Sequence, residues 1–111
     1  MEISKFVSEI SGEKKINTAI IIESEFSKEI QIILPQGETM KEHKTPFPIP
    51  VHVISGEIDF TATENTTRLS QGNIIALEAN IPHNLIAIKD TIVRLTLSKS
   101  DNFKRVQNLE N

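Results

Sequence analysis

The sequence predicts an all-β protein, built as a sandwich or barrel of short strands. Of its 111 residues, 18 are isoleucine, 9 are threonine and 5 are valine. These β-branched side chains favour extended backbone and disfavour helix. Apolar runs of about four to eight residues alternate with turn signals at short spacing, which is typical of sandwiches and barrels.

The apolar runs define eight strands. In the run Thr91–Ser98, Val93, Leu95 and Leu97 fall on one face, because side chains alternate along a strand. The expected strands, in order, are Ile16–Ile22, Glu29–Leu34, Ile49–Ile54, Glu57–Thr63, Thr66–Leu69, Asn73–Leu77, Asn84–Lys89 and Thr91–Ser98.

Short turns join the strands, and two flanking segments extend from them. Three turns are short enough to connect antiparallel neighbours: Ser55–Gly56, Glu64–Asn65 and Lys89–Asp90. An N-terminal strand is expected around Ile3–Ile10. In the tail, three apolar residues have the spacing of a helix that begins after an N-cap at Ser100: Phe103, Val106 and Leu109. The same spacing also suits a tail that packs on the barrel without a helix or that frays at its end. We therefore expect one domain over residues 1–111, with the barrel core at about 16–98.

Composition and charge exclude several functions. The net charge is −3 and there is no basic run, which argues against nucleic acid as a partner. There is no cysteine, so disulfides and thiolate metal sites are excluded. The longest uninterrupted apolar runs have only about four residues, as in Ala19–Ile22, which is far too short to cross a membrane. The first residues lack the order of a signal peptide, in which a charged stretch precedes an apolar one. A cytoplasmic location with no membrane partner is therefore expected.

Two segments of the chain each combine glycine and histidine at a defined spacing. In the first, Gly37 is followed after five residues by His43, and Gly56 comes 13 positions after the histidine. In the second, Gly72 is followed by His83. These two segments resemble the two motifs of the cupin family, in which Gly56 closes the first motif and His83 occupies the histidine position of the second. The resemblance covers roughly Ile16 to Ser98. It implies a double-stranded β-helix, which is a jelly-roll barrel.

The motifs are degenerate at their metal-binding positions. Thr45 stands where the family has a second histidine, Ile49 where it has a glutamate, and Ala87 replaces an asparagine. Of the four typical metal ligands, only His43 and His83 remain. Protein-bound transition metals normally have at least three protein ligands. We therefore expect no cofactor, or a weakly bound divalent metal (Zn, Ni, Fe or Mn) at these two histidines.

The resemblance places a ligand site inside the barrel. His43 and His83 are its expected polar groups, while the parity of His52 turns it away from the site. The expected ligand-binding residues are His43, Thr45, Ile49, His83, Met40 and Phe47. The alternative is a purely structural role, in which the histidines hydrogen-bond to backbone carbonyls or water and the apolar residues pack in the core and at the sheet edge.

Three functions fit these residues. The first is binding of a small organic ligand with little or no tightly held metal. The second is a metal-dependent enzyme, a dioxygenase or isomerase, which uses His43, His83 and a ligand outside the motifs. The third is a regulatory or sensor domain, since stand-alone cupins resemble the ligand-binding domains of arabinose-type transcription regulators. A homodimer is also expected, because cupins commonly dimerise and because apolar side chains fall on outward faces: Ile54, Ile86 and Ile88.

Overall fold

Two antiparallel β-sheets form the molecule in a computed structural model that describes residues 1–110. The five-stranded sheet has the order β1-β2-β9-β4-β7, and the four-stranded sheet has the order β3-β8-β5-β6. The strands are β1 (Asn17–Glu23), β2 (Ser27–Leu34), β3 (Thr39–His43), β4 (Ile49–Ser55), β5 (Glu57–Ala62), β6 (Asn65–Ser70), β7 (Ile74–Leu77), β8 (His83–Ala87) and β9 (Thr91–Ser98). One short helix, α1 (Phe103–Gln107), follows them. The predicted all-β class is confirmed.

The core lies between the inner faces of the two sheets. Alternate residues of β2 and β9, such as Ile30, Leu34 and Leu97, are fully buried there. The polar partners of these residues along the strands point outward, as Glu29 and Arg94 do in an ion pair of 2.7 Å. The alternation that predicted the strands thus assigns their faces correctly.

Two of the three predicted turns do not join neighbouring strands. Ser55–Gly56 links β4 to β5, and Lys89–Asp90 links β8 to β9, and in both cases the two strands belong to different sheets. Of the three predicted turns, only the one at Glu64–Asn65 connects two strands that pair with each other, β5 and β6. Sequence alternation defines strands but not the sheet that each one joins, which is why the prediction was wrong at these turns.

The two turns that cross between sheets lie against each other. Thr91 at the start of β9 accepts a hydrogen bond on Oγ1 from the Glu57 backbone N–H, at 3.0 Å. Gly56 has a φ of 95°, and a Cβ there would lie 2.4 Å from the Asp90 carbonyl oxygen. Glycine is therefore required at this position, both by its backbone conformation and by the close approach of the second turn.

The flanking segments differ from their predictions. Residues 3–10 form no strand, since they lie outside both sheets and their polar and charged residues interrupt any apolar alternation. The C-terminal helix exists, but its N-cap is Asn102 rather than Ser100, and the Asn102 side chain accepts from the Lys104 N–H. Within residues 1–110, no helix is both long enough and apolar enough to span a bilayer.

Candidate functional site

The two motif histidines meet between the sheets. His43 ends β3 and His83 begins β8, and the two residues are register partners in the four-stranded sheet. Their ring centroids lie 4.1 Å apart, with an angle of 61° between the ring planes. Phe60 on β5 stacks on the His83 ring, at a centroid distance of 5.5 Å and an interplanar angle of 19°.

Each imidazole is oriented by a backbone carbonyl two residues earlier in the chain. His43 Nδ1 lies 2.8 Å from the Lys41 carbonyl oxygen, and His83 Nδ1 lies 2.8 Å from the Ile81 carbonyl oxygen. A carbonyl oxygen only accepts, so each Nδ1 carries the hydrogen and donates it. In the neutral ring, Nε2 is then left with a free lone pair. Both imidazoles therefore present a hydrogen-bond acceptor.

Burial keeps both imidazoles neutral. Desolvation lowers the pKa of His43 to about 4, because the charged form loses its hydration, and the neighbouring His83 and Arg105 lower it further against the opposing bond to Lys41. Desolvation and Arg105 likewise lower the pKa of His83 below its usual range. At neutral pH the pair consists of two uncharged acceptors.

A small cavity surrounds the histidine pair. Its enclosed part measures about 20 Å³, which is room for about one water molecule. The space reaches about 390 Å³ when its open mouth is included. The walls are otherwise mostly aliphatic, which is usual for small-molecule sites. The lining residues are Ile32, Met40, His43, Ile49, Val51, Phe60, His83, Leu85, Val93, Leu95, Arg105 and Leu109.

Four of the six predicted ligand-binding residues border this cavity. They are His43, His83, Met40 and Ile49. Thr45 and Phe47 lie outside the lining. Thr45 is 1% exposed, and its hydroxyl donates to the Phe47 carbonyl oxygen at 2.5 Å, so the local turn uses the group that was expected to face a ligand.

His52 points away from the cavity, as its parity predicted. On β4 it is the register partner of Arg94 on β9 and of Ile74 on β7. Arg94 faces outward to its ion pair with Glu29, and Ile74 is 62% exposed. His52 thus lies on the outer face of the five-stranded sheet, away from the cavity, and is a natural control for His43 and His83.

Arg105 on α1 is a cavity residue that sequence reasoning missed. It comes 22 positions after His83 and belongs to no motif. The signal that was present is the i, i+4 pair of Asp101 and Arg105, which forms a salt bridge with Nη2 2.7 Å from Oδ2. The predicted apolar stripe of the tail also points inward, since Val106 and Leu109 belong to the core.

The cavity does not offer a complete metal site. Residues 1–110 contain no group of three histidine, cysteine, aspartate or glutamate side chains placed to hold a metal ion. His43 and His83 supply two nitrogen donors, while Ile49 supplies none and the Thr45 hydroxyl is bonded to backbone. A site of three or more protein ligands is not formed by this donor set.

The comparisons with known proteins agree with the fold. The model of the Cupin domain matches residues 30–98. No curated protein matches the chain. Among solved structures, an RmlC-like cupin from Desulfovibrio desulfuricans has a TM-score of 0.76 at 18% identity, covering 88% of this chain and 96% of its own. KdgF from Halomonas sp. has a TM-score of 0.74 at 16% identity, covering 88% and 91%.

A third similar structure matches over nearly the whole chain. It is an RmlC-like cupin from Methanocaldococcus jannaschii with a double-stranded β-helix fold, with a TM-score of 0.69 at 20% identity and 96% of each chain covered. At these identities the likeness concerns the fold. Together with the two sheets described above, it confirms the predicted double-stranded β-helix.

Proposed function

The chain belongs to the cupin family, and we propose that it binds a small organic ligand in the cavity beside His43 and His83. The observation that carries the proposal is the pairing of two neutral imidazoles whose Nδ1 atoms are already bonded to backbone carbonyls. Each Nε2 keeps a lone pair that accepts a hydrogen bond, so the pair favours a ligand that donates one.

The cavity walls define the rest of the ligand. Aliphatic side chains from both sheets suit a short hydrocarbon portion, whereas the histidines suit a hydroxyl. Because the enclosed space is about 20 Å³, the ligand has few atoms inside the barrel and extends toward the mouth. Hydroxyacetone is a suitable probe, and methoxyacetone is its matched control without a donor.

The experiment is a titration of tag-free protein, followed by the imidazole nitrogen signals in NMR. We expect hydroxyacetone to shift the signals of His43 and His83 but not that of His52, and methoxyacetone to have a much weaker effect. His43→Gln and His83→Gln should each weaken binding, while His52→Gln leaves it unchanged. Equal shifts with both probes, or no shift at the paired histidines, would contradict the proposal.

A metal-dependent enzyme is the alternative. The favouring observation is that each Nδ1 donates to a backbone carbonyl, because ligating histidines are commonly oriented in this way. Elemental analysis of protein purified without a histidine tag tests it. Stoichiometric Zn, Ni, Fe or Mn that is lost in His43→Ala and His83→Ala would favour the enzyme over the simple binding protein. Metal content unchanged in both variants would count against it.

The homodimer stays a proposal that rests on exposed apolar side chains. Ile86 on the outer face of the four-stranded sheet is 39% exposed, and Ile74 at the edge of the five-stranded sheet is 62% exposed, while Ile54 and Ile88 are half-buried. Burial of such side chains favours association. Sedimentation at micromolar concentration should give a dimer mass, and a monomer mass would refute the proposal.

A further inference from the structure

The C-terminal segment, residues 99–110, holds the charged side chain of Arg105 against the cavity. Val106 is fully buried, and the Lys28 Nζ donates to the Asp101 carbonyl oxygen at 2.9 Å. Near the end of the segment, the Thr18 hydroxyl donates to the Glu110 carboxylate. The segment is thus hydrogen-bonded to the barrel on both sides of Arg105.

Asp101 binds one edge of the Arg105 guanidinium. Arg105 Nη2 lies 2.7 Å from Asp101 Oδ2, and Arg105 Nε lies 3.3 Å from Asp101 Oδ1. The side chain of Arg105 is 24% exposed and that of Asp101 is 2% exposed. A guanidinium has five N–H donors in one plane. The bonds to Asp101 use the edge formed by Nε and Nη2. Within residues 1–110, Nη1 has no hydrogen-bond partner, and Nη2 has a second N–H beside the one that it donates to Asp101, so the edge formed by Nη1 and Nη2 still has donors for a ligand.

The charge at the cavity favours an anion on this free edge. Arg105 is the charged side chain among the lining residues, and the two histidines beside it are neutral. Asp101 is bonded to the other edge of the guanidinium and does not border the cavity. A carboxylate matches the spacing of two parallel N–H donors, which gives the short, strong bidentate pair typical of arginine.

We propose that Arg105 determines ligand specificity, because its Nη1 and Nη2 edge binds a carboxylate at the mouth of the cavity while a hydroxyl of the same ligand donates to the histidine pair. The ligand class is therefore a small hydroxy acid. The inference rests on the proposed function and names its ligand. Asp101 acts as a positioning residue, since it holds the guanidinium in the orientation that leaves this edge free.

Lactate and lactamide test the inference, because both have the same hydroxyl and only lactate has a carboxylate. Titration of the full chain, followed by the imidazole nitrogen signals, should show lactate binding roughly 10-fold or more tighter than lactamide. In Arg105→Gln the affinity for lactate should fall roughly 10- to 100-fold, while the affinity for lactamide stays nearly unchanged. Arg105→Lys should retain only part of the preference, because lysine keeps the charge without the fork.

Lys104→Gln is the matched control. It removes the same charge from the same helix at an exposed position, and it should leave the affinity for lactate unchanged. Equal affinities for lactate and lactamide in the unmodified protein, or a lactate affinity that Arg105→Gln does not reduce, would overturn the inference. In that case the shifts caused by lactamide and hydroxyacetone would still support the proposed function. If none of the three probes shifts the histidines, both proposals fail.

A fold check separates lost binding from lost structure. Arg105→Gln leaves the buried Asp101 carboxylate without its partner, so its thermal unfolding should be compared with that of the unmodified protein. Arg105→Lys retains a cation beside Asp101 and is the second variant. An unaltered preference for lactate in a folded Arg105→Lys protein would also overturn the bidentate assignment.

Discussion

The two terminal segments of the chain both cover apolar surface, but they cover different surfaces. The N-terminal segment, residues 1–15, meets the outer face of the five-stranded sheet, where the Val7 N–H donates to Gln31 Oε1 at 2.8 Å. Beside Gln31, the outward-facing Ile33 and Ile92 are almost fully buried. The C-terminal segment instead inserts between the sheets, where Val106 joins the core and Arg105 borders the cavity.

This difference separates stability from binding. Changes at the buried or cavity-lining positions of the C-terminal segment, such as Val106 and Arg105, alter the surroundings of the histidines, so they should affect both the free energy of unfolding and the affinity for the ligand. Changes in the N-terminal segment act on a sheet face that is turned away from the cavity, so they should affect stability alone. Matched substitutions in the two segments test this separation.

The largest effect is expected from Val106→Ala. Val106 is fully buried in the core, and removing two methyl groups there should lower the free energy of unfolding by about 2 kcal/mol. Val7→Ala is the same change in the other segment, at a side chain that is 40% exposed, and should cost under about 0.5 kcal/mol. Urea unfolding measures both. Equal losses would show that the two segments contribute alike.

Acid should destabilise the protein through His43. Burial lowers its pKa from 6.5 to about 4. Between these two values the unfolded chain binds a proton that the folded chain does not, so the free energy of unfolding falls as the pH drops from about 6.5 toward 4. We expect a loss of roughly 2 kcal/mol over this range, smaller than the full shift implies because the ring is partly exposed to solvent.

Urea unfolding at pH 7, 5.5 and 4 measures this pH dependence. His43→Gln should make the decline shallower, whereas Met40→Leu, a similar change in volume at the same cavity, should leave its slope unaltered. An identical slope in His43→Gln would assign the acid sensitivity to other groups.

A smaller loss is expected when the ion pair of the C-terminal segment is broken. Asp101→Asn removes the charge that holds Arg105, and it should lower the free energy of unfolding by about 1–2 kcal/mol, since the arginine is still partly solvated. Glu23→Gln removes a carboxylate from the exposed pair with Lys99 and should have no measurable effect. If the two substitutions are equally harmless, the segment is held by its apolar contacts alone.

The smallest effect is expected from Gln31→Met. The substitution keeps the side-chain volume but removes the acceptor of the Val7 N–H, which should cost about 1 kcal/mol and speed proteolysis within residues 1–15. The histidine signals and the affinity for lactate should not change. Gln107→Met, at an exposed position on α1, is the control for the substitution itself. A changed lactate affinity in Gln31→Met would remove the proposed separation between the two segments.

Local sequence patterns predicted the bounds of the strands better than they predicted which strands pair with each other. Strand β9, Thr91–Ser98, has the predicted bounds, because three inward aliphatic residues alternate with polar ones. Strand β3, Thr39–His43, was missed, because it lies at a sheet edge and Met40 is its one buried residue. Which sheet a strand joins depends on contacts between residues far apart in sequence, and alternation does not contain that information.

The site was predictable as far as the motif extends. Motif spacing identified His43 and His83, and parity placed Ile49 in the same cavity. Thr45 satisfies this parity too, but its hydroxyl has a nearer acceptor in the Phe47 carbonyl, which a pattern of faces does not reveal. Arg105 was missed because it reaches the cavity through the return of the tail to the barrel, a tertiary contact that no local spacing indicates.

The stacking of Phe60 on His83 makes an optical probe of the site available. The chain contains no tryptophan and no tyrosine, so Phe60→Trp would introduce its sole indole, in contact with one of the two proposed binding histidines. Indole emission is sensitive to the polarity around the ring and is quenched by a protonated imidazole. Fluorescence from this single indole would therefore report ligand entry and protonation of the histidine pair, with no other tryptophan and no tyrosine contributing to the signal.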